Sequence, residues 1–232
     1  MVGDALEKPG SLGRVRRVYG FWGRHPALYA AQDLVTFIGR AGKIRRRAVE
    51  ELQLKKGGKA LEVACGTGRN FPYLLAAIGK EGRLVGFDYS QEMLDAAREL
   101  CRRKGWGNVT LVQGDAAALR ISGKDFDGIL SVLGISAVPG WEAALRRSCE
   151  LLRPGGRLVV CDARLFRGAF FFLNPLIRAL YSRFAAWDPS KNIPDKMREI
   201  FGNAEVENYN FGTFFIATSV KHKVGPPEEV QP

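Results

Sequence analysis

The chain has 232 residues, and its hydrophobic fraction of 46% excludes a wholly disordered protein and allows one domain with a sizeable core. Its 35 lysine and arginine residues outnumber its 24 acidic residues and give a formal charge of +11. No apolar run is long enough for a transmembrane helix or a secretory signal, and the four cysteines lack metal-binding spacing. The composition therefore predicts a cytoplasmic protein with no metal site and no disulfide framework.

The positive charge is concentrated near the amino terminus. Residues 1–60 have a net charge of +8, whereas the rest of the chain has +3. Tyr19 and Trp22 lie among arginines, a mixture typical of segments that bind anionic lipid surfaces. Apolar residues recur at helical spacing over residues 28–52. We predict that residues 1–56 form a basic, amphipathic helical element that caps the substrate site and binds an anionic membrane; a solvated charged helix is the alternative.

Strand and helix patterns alternate along the rest of the chain. Strands are predicted at 60–64, 83–87, 109–113, 126–132 and 157–163, and helices at about 69–79, 91–104 and 141–152. Repeated βα units predict a doubly wound, Rossmann-like α/β domain over residues 57–222, with a mostly parallel sheet. Two adjacent strands near 204–210 and 213–220 predict a closing antiparallel hairpin, and residues 223–232 are predicted to form a loose tail.

A loop of small residues follows the first predicted strand and reads Glu62-Val63-Ala64-Cys65-Gly66-Thr67-Gly68-Arg69-Asn70. Such a loop at the carboxyl edge of a parallel sheet lets a ligand approach the backbone. It is not a Walker loop, because no Gly-Lys-Ser/Thr follows. Asp88 ends the second predicted strand, where a carboxylate can accept both hydroxyls of a ribose, and Asp115 follows the third, placed to accept from an adenine amino group. Taken singly, Asp88 could also cap a helix and Asp115 could be a turn residue.

These motifs, together with Leu152-Arg153-Pro154-Gly155-Gly156, resemble the class I S-adenosylmethionine-dependent methyltransferases over residues 57–220. The Ala-Cys-Gly-Thr-Gly version of the loop resembles the quinone-biosynthesis branch. The resemblance implies a seven-stranded sheet whose last strand is antiparallel, with S-adenosylmethionine as cofactor and S-adenosylhomocysteine as product. It implies that Glu62 holds the methionine amino group, that Asp88 binds the ribose and that Met93 packs on adenine. The implied cofactor-binding residues are Glu62, Ala64, Gly66, Thr67, Gly68, Asn70, Asp88, Tyr89, Met93, Gly114, Asp115 and Ala116.

Aromatic residues and arginines alternate within residues 164–198, which we predict to be a substrate insert; a buried helix that covers the sheet is the alternative. This composition suits an acyl chain and a phosphate headgroup. The predicted lipid contacts are Arg167, Phe171, Arg178 and Arg183. Residues 174–189 and 211–217 resemble bacterial phospholipid and betaine-lipid N-methyltransferases, which implies a lipid amine substrate. Tyrosine rings attract methylated cations, so the predicted catalytic residues are Tyr19, Tyr29 and Tyr181.

The sequence therefore predicts a methyltransferase that acts on a lipid amine headgroup, phosphatidylethanolamine and its partly methylated forms, at the inner face of the membrane. Two alternatives remain open: C-methylation of a quinone ring, and RNA methylation through the basic face. Nucleic acid is the less favoured substrate, because neither an Asn/Asp-Pro-Pro-Tyr tetrapeptide nor a Pro-Cys nucleophile follows the fourth predicted strand. The sequence leaves the oligomeric state open.

Overall fold

The computed structural model describes residues 11–166 and 168–222, so the tail predicted over residues 223–232 lies outside the described residues. The helices are α1 (Leu12–Arg24), α2 (Pro26–Thr36), α3 (Ala41–Glu51), α4 (Phe71–Ile78), α5 (Gln91–Lys104), α6 (Trp141–Leu151), α7 (Asn174–Phe184) and α8 (Ile193–Phe201). The strands are β1 (Lys59–Val63), β2 (Arg83–Asp88), β3 (Val109–Gln113), β4 (Phe126–Val132), β5 (Leu152–Ala163), β6 (Glu205–Tyr209) and β7 (Phe214–Val220).

The seven strands form one sheet in the order β3-β2-β1-β4-β5-β7-β6. Strands β1 to β5 pair in parallel, and β7 runs antiparallel to both β5 and β6. This topology confirms the predicted fold class. The direction of winding reverses between β1 and β4, and their carboxyl ends therefore flank the crevice where ligands bind in doubly wound sheets.

Helices cover both faces of the sheet. On one face, Ile44 of α3, Leu74 of α4 and Leu94 of α5 pack in one apolar core. On the other face, Leu145 of α6 and Met197 of α8 pack in a second core. The central strands are apolar on both sides because neither face meets water.

The helical spacing over residues 28–52 corresponds to two helices, because the chain turns between α2 and α3. At this α2–α3 corner, Ile38 and Gly39 have φ angles of 51° and 71°. The Gly39 N–H donates a hydrogen bond of 2.8 Å to the Leu34 carbonyl, which ends α2. The turn brings Phe37 into the core, where its ring lies 4.8 Å from that of Phe214.

Helix α1 packs against α5 and buries one face of the basic segment. A Cβ on Gly23 would lie 2.5 Å from the backbone of Glu92, so the two helices approach closely at this glycine. The indole N–H of Trp22 donates a 2.8 Å hydrogen bond to the Phe184 carbonyl, whereas Phe21 is exposed. Among the described residues, no helix is long and apolar enough to cross a membrane. Membrane contact by residues 1–56 stays a prediction.

Candidate functional site

A pocket of about 740 Å³ lies at the carboxyl ends of β1, β2 and β3. The β1 loop contributes Glu62 and Gly66, β2 contributes Asp88, and the residues after β3 contribute Asp115. Most of the predicted cofactor residues line this cofactor pocket: Glu62, Ala64, Gly66, Thr67, Asn70, Asp88, Tyr89, Met93, Asp115 and Ala116.

The glycines of the predicted cofactor set lie in two different environments. The Gly66 N–H donates a 2.8 Å hydrogen bond to Asp88, with a φ of 54° that favours glycine. Gly68 and Gly114 do not line the pocket. A Cβ on Gly68 would lie 2.7 Å from an aromatic ring of α4, and one on Gly114 would lie 2.6 Å from the Phe87 ring. These two glycines permit close packing beneath the loop.

Asp88 lies at the end of β2 with 8% of its surface exposed. Its two carboxylate oxygens accept hydrogen bonds from the backbone N–H groups of Gly66 and Ser90, at 2.8 and 2.9 Å. Burial raises the pKa of this carboxyl group. Each oxygen has a second lone pair, so the group has the capacity to accept ribose hydroxyls. Its ribose contact stays a prediction.

A chain of buried polar groups connects the amino-terminal helices to the β1 loop. Arg45 of α3, 5% exposed, donates hydrogen bonds of 2.7 Å to both Asp33 and Asn70. Asn70 donates in turn to Glu62 at 2.5 Å, and Arg69 forms a 3.0 Å ion pair with Asp33. The sequence analysis missed Arg45, because an arginine on a basic helix carries no local mark of burial.

Glu62 has a free acceptor inside this network. Its Oε2 atom is buried and accepts no hydrogen bond within the described residues. Burial raises the pKa of Glu62 to about 8, against the opposing effects of Asn70 and Arg45. A buried acceptor without a donor is costly. The donor that this position fits is an ammonium group, such as the amino group of the S-adenosylmethionine cofactor.

A second chamber of about 470 Å³ adjoins the cofactor pocket. Tyr19, Tyr29 and Leu133 line both spaces, whereas Tyr181 lines the second chamber alone. The predicted catalytic tyrosines therefore come together around one space. Burial raises the pKa of Tyr29 to about 12 and that of Tyr19 further, so both hydroxyls keep their protons at neutral pH. The remaining walls include Thr36, Asp162, Phe184 and Trp187.

Asp162 is the second functional candidate that the sequence analysis missed. It lies near the end of β5, is fully buried and lines the second chamber. Its oxygens accept hydrogen bonds from the Ser136 hydroxyl at 2.7 Å and from the N–H groups of Ser136 and Ala163 at 3.0 and 2.8 Å. Burial raises the pKa of this carboxyl group. The signal that could have found it is an acidic residue at the carboxyl end of a predicted strand, the reasoning applied to Asp88.

None of the predicted lipid contacts that the structure describes lines this chamber. Phe171 is 67% exposed, Arg178 is exposed, and neither lines the chamber. Arg167 lies outside the described residues, and the side chain of Arg183 is not described either. The insert residues that line the chamber are Tyr181, Phe184, Ala185 and Trp187.

Comparison with known proteins finds methyltransferases that are similar over most of the chain. A methyltransferase domain model matches residues 60–156. A demethylmenaquinone methyltransferase from Geobacillus kaustophilus is 29% identical over 220 residues, covering 86% of this chain and 93% of that protein. The same enzyme from Staphylococcus carnosus is 29% identical, covering 77% and 80%. A S-adenosylmethionine-dependent methyltransferase structure from Aquifex aeolicus has a TM-score of 0.56 at 18% identity, covering 76% and 88%.

These relatives overturn the prediction of a phospholipid N-methyltransferase. The curated relatives at 26–29% identity are named for methylation of a demethylated menaquinone, and not of a lipid amine. The catalytic role of Tyr19, Tyr29 and Tyr181 stays a prediction. The Phe/Arg composition of the insert indicates an apolar partner but does not specify the atom that accepts the methyl group.

The motifs at successive strand ends, the sheet order and the family matches agree with one another. The protein is therefore a methyltransferase with a Rossmann-like fold, and its cofactor is S-adenosylmethionine.

Proposed function

We propose that this enzyme methylates a ring carbon of a prenylated quinol, the type of acceptor for which its demethylmenaquinone methyltransferase relatives are named. The observation that supports this proposal is the second chamber, whose aromatic walls adjoin the cofactor pocket at Tyr19 and Tyr29. An acceptor ring held there would lie next to the position of the transferred methyl group.

The walls of the chamber suit a flat aromatic ring. Tyr181 and Trp187 lie with their ring centroids 5.2 Å apart, and the Trp187 indole is fixed by a 3.0 Å hydrogen bond to the Ala163 carbonyl. Aromatic side chains of this kind stack favourably on a planar ligand. In this proposal the quinol ring lies between these walls, and the prenyl tail extends outside the chamber.

Asp162 gives the chamber a proton acceptor. When bound, the cofactor would supply an electrophilic methyl group and be released as S-adenosylhomocysteine. A ring carbon would accept that methyl group more readily once a neighbouring ring hydroxyl has lost its proton, and the methylated carbon would then lose its own proton to restore the aromatic ring. Two carboxyl groups line the chamber, those of Asp33 and Asp162. Asp33 is paired with Arg45, whereas Asp162 lies close enough to Tyr19 for its charge to help raise the pKa of that tyrosine. Because burial raises the pKa of Asp162, the carboxylate is a stronger base than an exposed aspartate.

The cofactor roles of the loop residues belong to the same proposal. Glu62 would receive the amino group, Asp88 the ribose hydroxyls and Asp115 the adenine amino group, with Met93 packed on the adenine ring. We also propose peripheral attachment to the membrane, since a prenylated quinol partitions into the bilayer.

One experiment tests the acceptor class. The full chain is incubated with labelled S-adenosylmethionine and, separately, with a short-tailed demethylated menaquinol, phosphatidylethanolamine vesicles or total RNA. We expect label on a ring carbon of the quinol, located by mass spectrometry. Label on phosphatidylethanolamine or RNA, with none on the quinol, would refute the proposal. The Asp162→Asn variant should lose most of the turnover and retain S-adenosylhomocysteine affinity, because its carboxyl group lies in the second chamber.

A further inference from the structure

We propose that an exposed apolar face beside the second chamber docks this enzyme on an anionic lipid bilayer. The inference rests on the proposed function, because a prenylated quinol resides in the bilayer. We define this docking face by six side chains that are 64–78% exposed: Val35, Ile38, Phe171, Phe172, Leu176 and Phe211. Apolar side chains gathered on a surface in this way mark an interaction site.

Contacts between neighbouring residues join the three segments that carry the docking face. Thr36 of α2 and Tyr181 of α7 form a side-chain hydrogen bond. Asn210 donates a 3.4 Å hydrogen bond to a carbonyl of the α2–α3 corner. The ring of Phe170 lies 6.0 Å from that of Phe211. These contacts hold three segments side by side: α2 with its corner, α7 with the preceding 3₁₀ helix (Gly168–Leu173), and the turn before β7.

The docking face lies beside the chamber. Thr36 and Tyr181 line the chamber, and they belong to the same two helices that present Val35 and Leu176 to the exterior. A prenyl tail that leaves the chamber between α2 and α7 would meet apolar side chains immediately. A bilayer is the partner that could supply such a substrate without its passage through water.

The charge around the docking face favours an anionic bilayer. Residues 28–47 and 164–187 contain nine lysines and arginines and one acidic residue, Asp33. Asp33 is 3% exposed and forms an ion pair with Arg45, so its charge does not oppose an anionic surface. Exposed cations, among them Arg40 and Arg178, accompany the exposed rings. Each cation near an anionic leaflet strengthens attachment.

Phe211 adds an independent observation. It has a φ of 57° and is 78% exposed. Left-handed backbone is unusual for a bulky residue, and such strain is found mainly at functional positions. The ring gains little burial within the chain, and insertion among lipid acyl chains would bury it.

The test is vesicle flotation with the full chain. The triple variant Val35→Gln, Phe172→Gln, Phe211→Asn removes one side chain from each segment of the face. We expect the wild-type protein to float with mixed phosphatidylglycerol and phosphatidylcholine vesicles, and the triple variant to partition at least about tenfold less. The matched control is Phe21→Gln on α1, which is 45% exposed and should leave flotation unchanged.

A second pair of variants tests the charge. Arg178→Gln beside the face should weaken flotation with phosphatidylglycerol vesicles by about fivefold. Arg120→Gln should not, because Arg120 is exposed beside Lys59 and Arg83, at the amino ends of the strands. Vesicles of phosphatidylcholine alone should bind all variants weakly.

Several outcomes would overturn the docking proposal. One is a wild-type protein that ignores anionic vesicles, and another is a triple variant that floats as the wild type does. Loss of flotation in Phe21→Gln with none in the triple variant would assign membrane binding to α1 instead. A triple variant that sediments as a smaller assembly, with unchanged flotation, would identify the face as a contact between copies.

Methyl transfer to a soluble, short-tailed quinol separates this proposal from the proposed function. If the wild-type protein floats but methylates no quinol, the docking proposal stands and the function fails. If it methylates the soluble quinol but does not float, the proposed function stands and the docking proposal fails. The triple variant should keep its turnover on the soluble quinol and lose it on a long-tailed quinol embedded in vesicles.

Discussion

Cofactor affinity should rise with pH through the titration of Glu62. The group is 1% exposed, and burial raises its pKa to about 8. The ammonium group of the cofactor pairs with the ionised carboxylate of Glu62. Below this pKa the Glu62 carboxyl group must therefore lose its proton before the cofactor binds tightly. Between pH 8 and about pH 6 the ionised fraction falls from one half to about one in a hundred, so we expect the dissociation constant to increase about 50-fold.

Calorimetric titration with S-adenosylhomocysteine over this pH range measures the effect. The Glu62→Gln variant should bind weakly at every pH and show a flat profile. A wild-type dissociation constant that stays constant between about pH 6 and pH 8 would refute the reasoning, because it would mean that Glu62 does not titrate there or does not meet the amino group.

The same proton affects the stability of the ligand-free protein. The folded-state pKa of Glu62 is raised above the ordinary value of 4.5, so the folded state binds this proton more tightly than the unfolded state does. The stabilisation is complete below about pH 4.5 and is lost as the pH rises to about 8. Urea unfolding should show this loss in the wild type and not in Glu62→Gln.

Three further substitutions test other parts of the structure. Arg45→Met should lower the free energy of unfolding by about 3–5 kcal/mol, because it leaves buried acceptors unpaired. The control Arg46→Met, at an exposed position, should change this free energy by less than about 0.5 kcal/mol. Urea unfolding measures both. Asp88→Ala should weaken S-adenosylhomocysteine binding about 100-fold by calorimetry through the loss of two charged hydrogen bonds, and near-normal affinity would disprove the ribose contact. Gly23→Ala should make α1 sensitive to trypsin, because its Cβ would lie 2.5 Å from the backbone of α5. Gly20→Ala meets a flexible side chain at 3.2 Å and should resist trypsin as the wild type does.

The sheet and the position of the cofactor pocket could be predicted because their signals are local. Each strand is a short apolar run, and each candidate acid directly follows such a run, as Asp88 and Asp115 do. Parallel strands bring their carboxyl ends to one edge, so sequence order alone places these residues together. The family resemblance added the identity of the cofactor.

The α2–α3 corner and the buried network could not be predicted in the same way. Apolar residues keep helical spacing on both sides of Gly39, so periodicity alone indicates one continuous helix. Arg45 is buried because the corner folds α3 back toward Asp33 and Asn70, a contact that depends on tertiary structure. The acceptor was mispredicted for a related reason: aromatic and basic composition describes an apolar partner and not the reacting atom.

Burial of α3 bears on how this enzyme can be divided. Ile44, Ala48 and Leu52 belong to the same apolar core as Leu130 and Val159 of the central strands. A fragment that starts at β1 would therefore expose core surface. It would also lack Arg45, whose guanidinium favours the ionised form of Glu62. Helix α3, which precedes the family match, is thus part of the enzyme's folding unit. Chimaeras with related methyltransferases should exchange it together with the sheet, and not as a separate module.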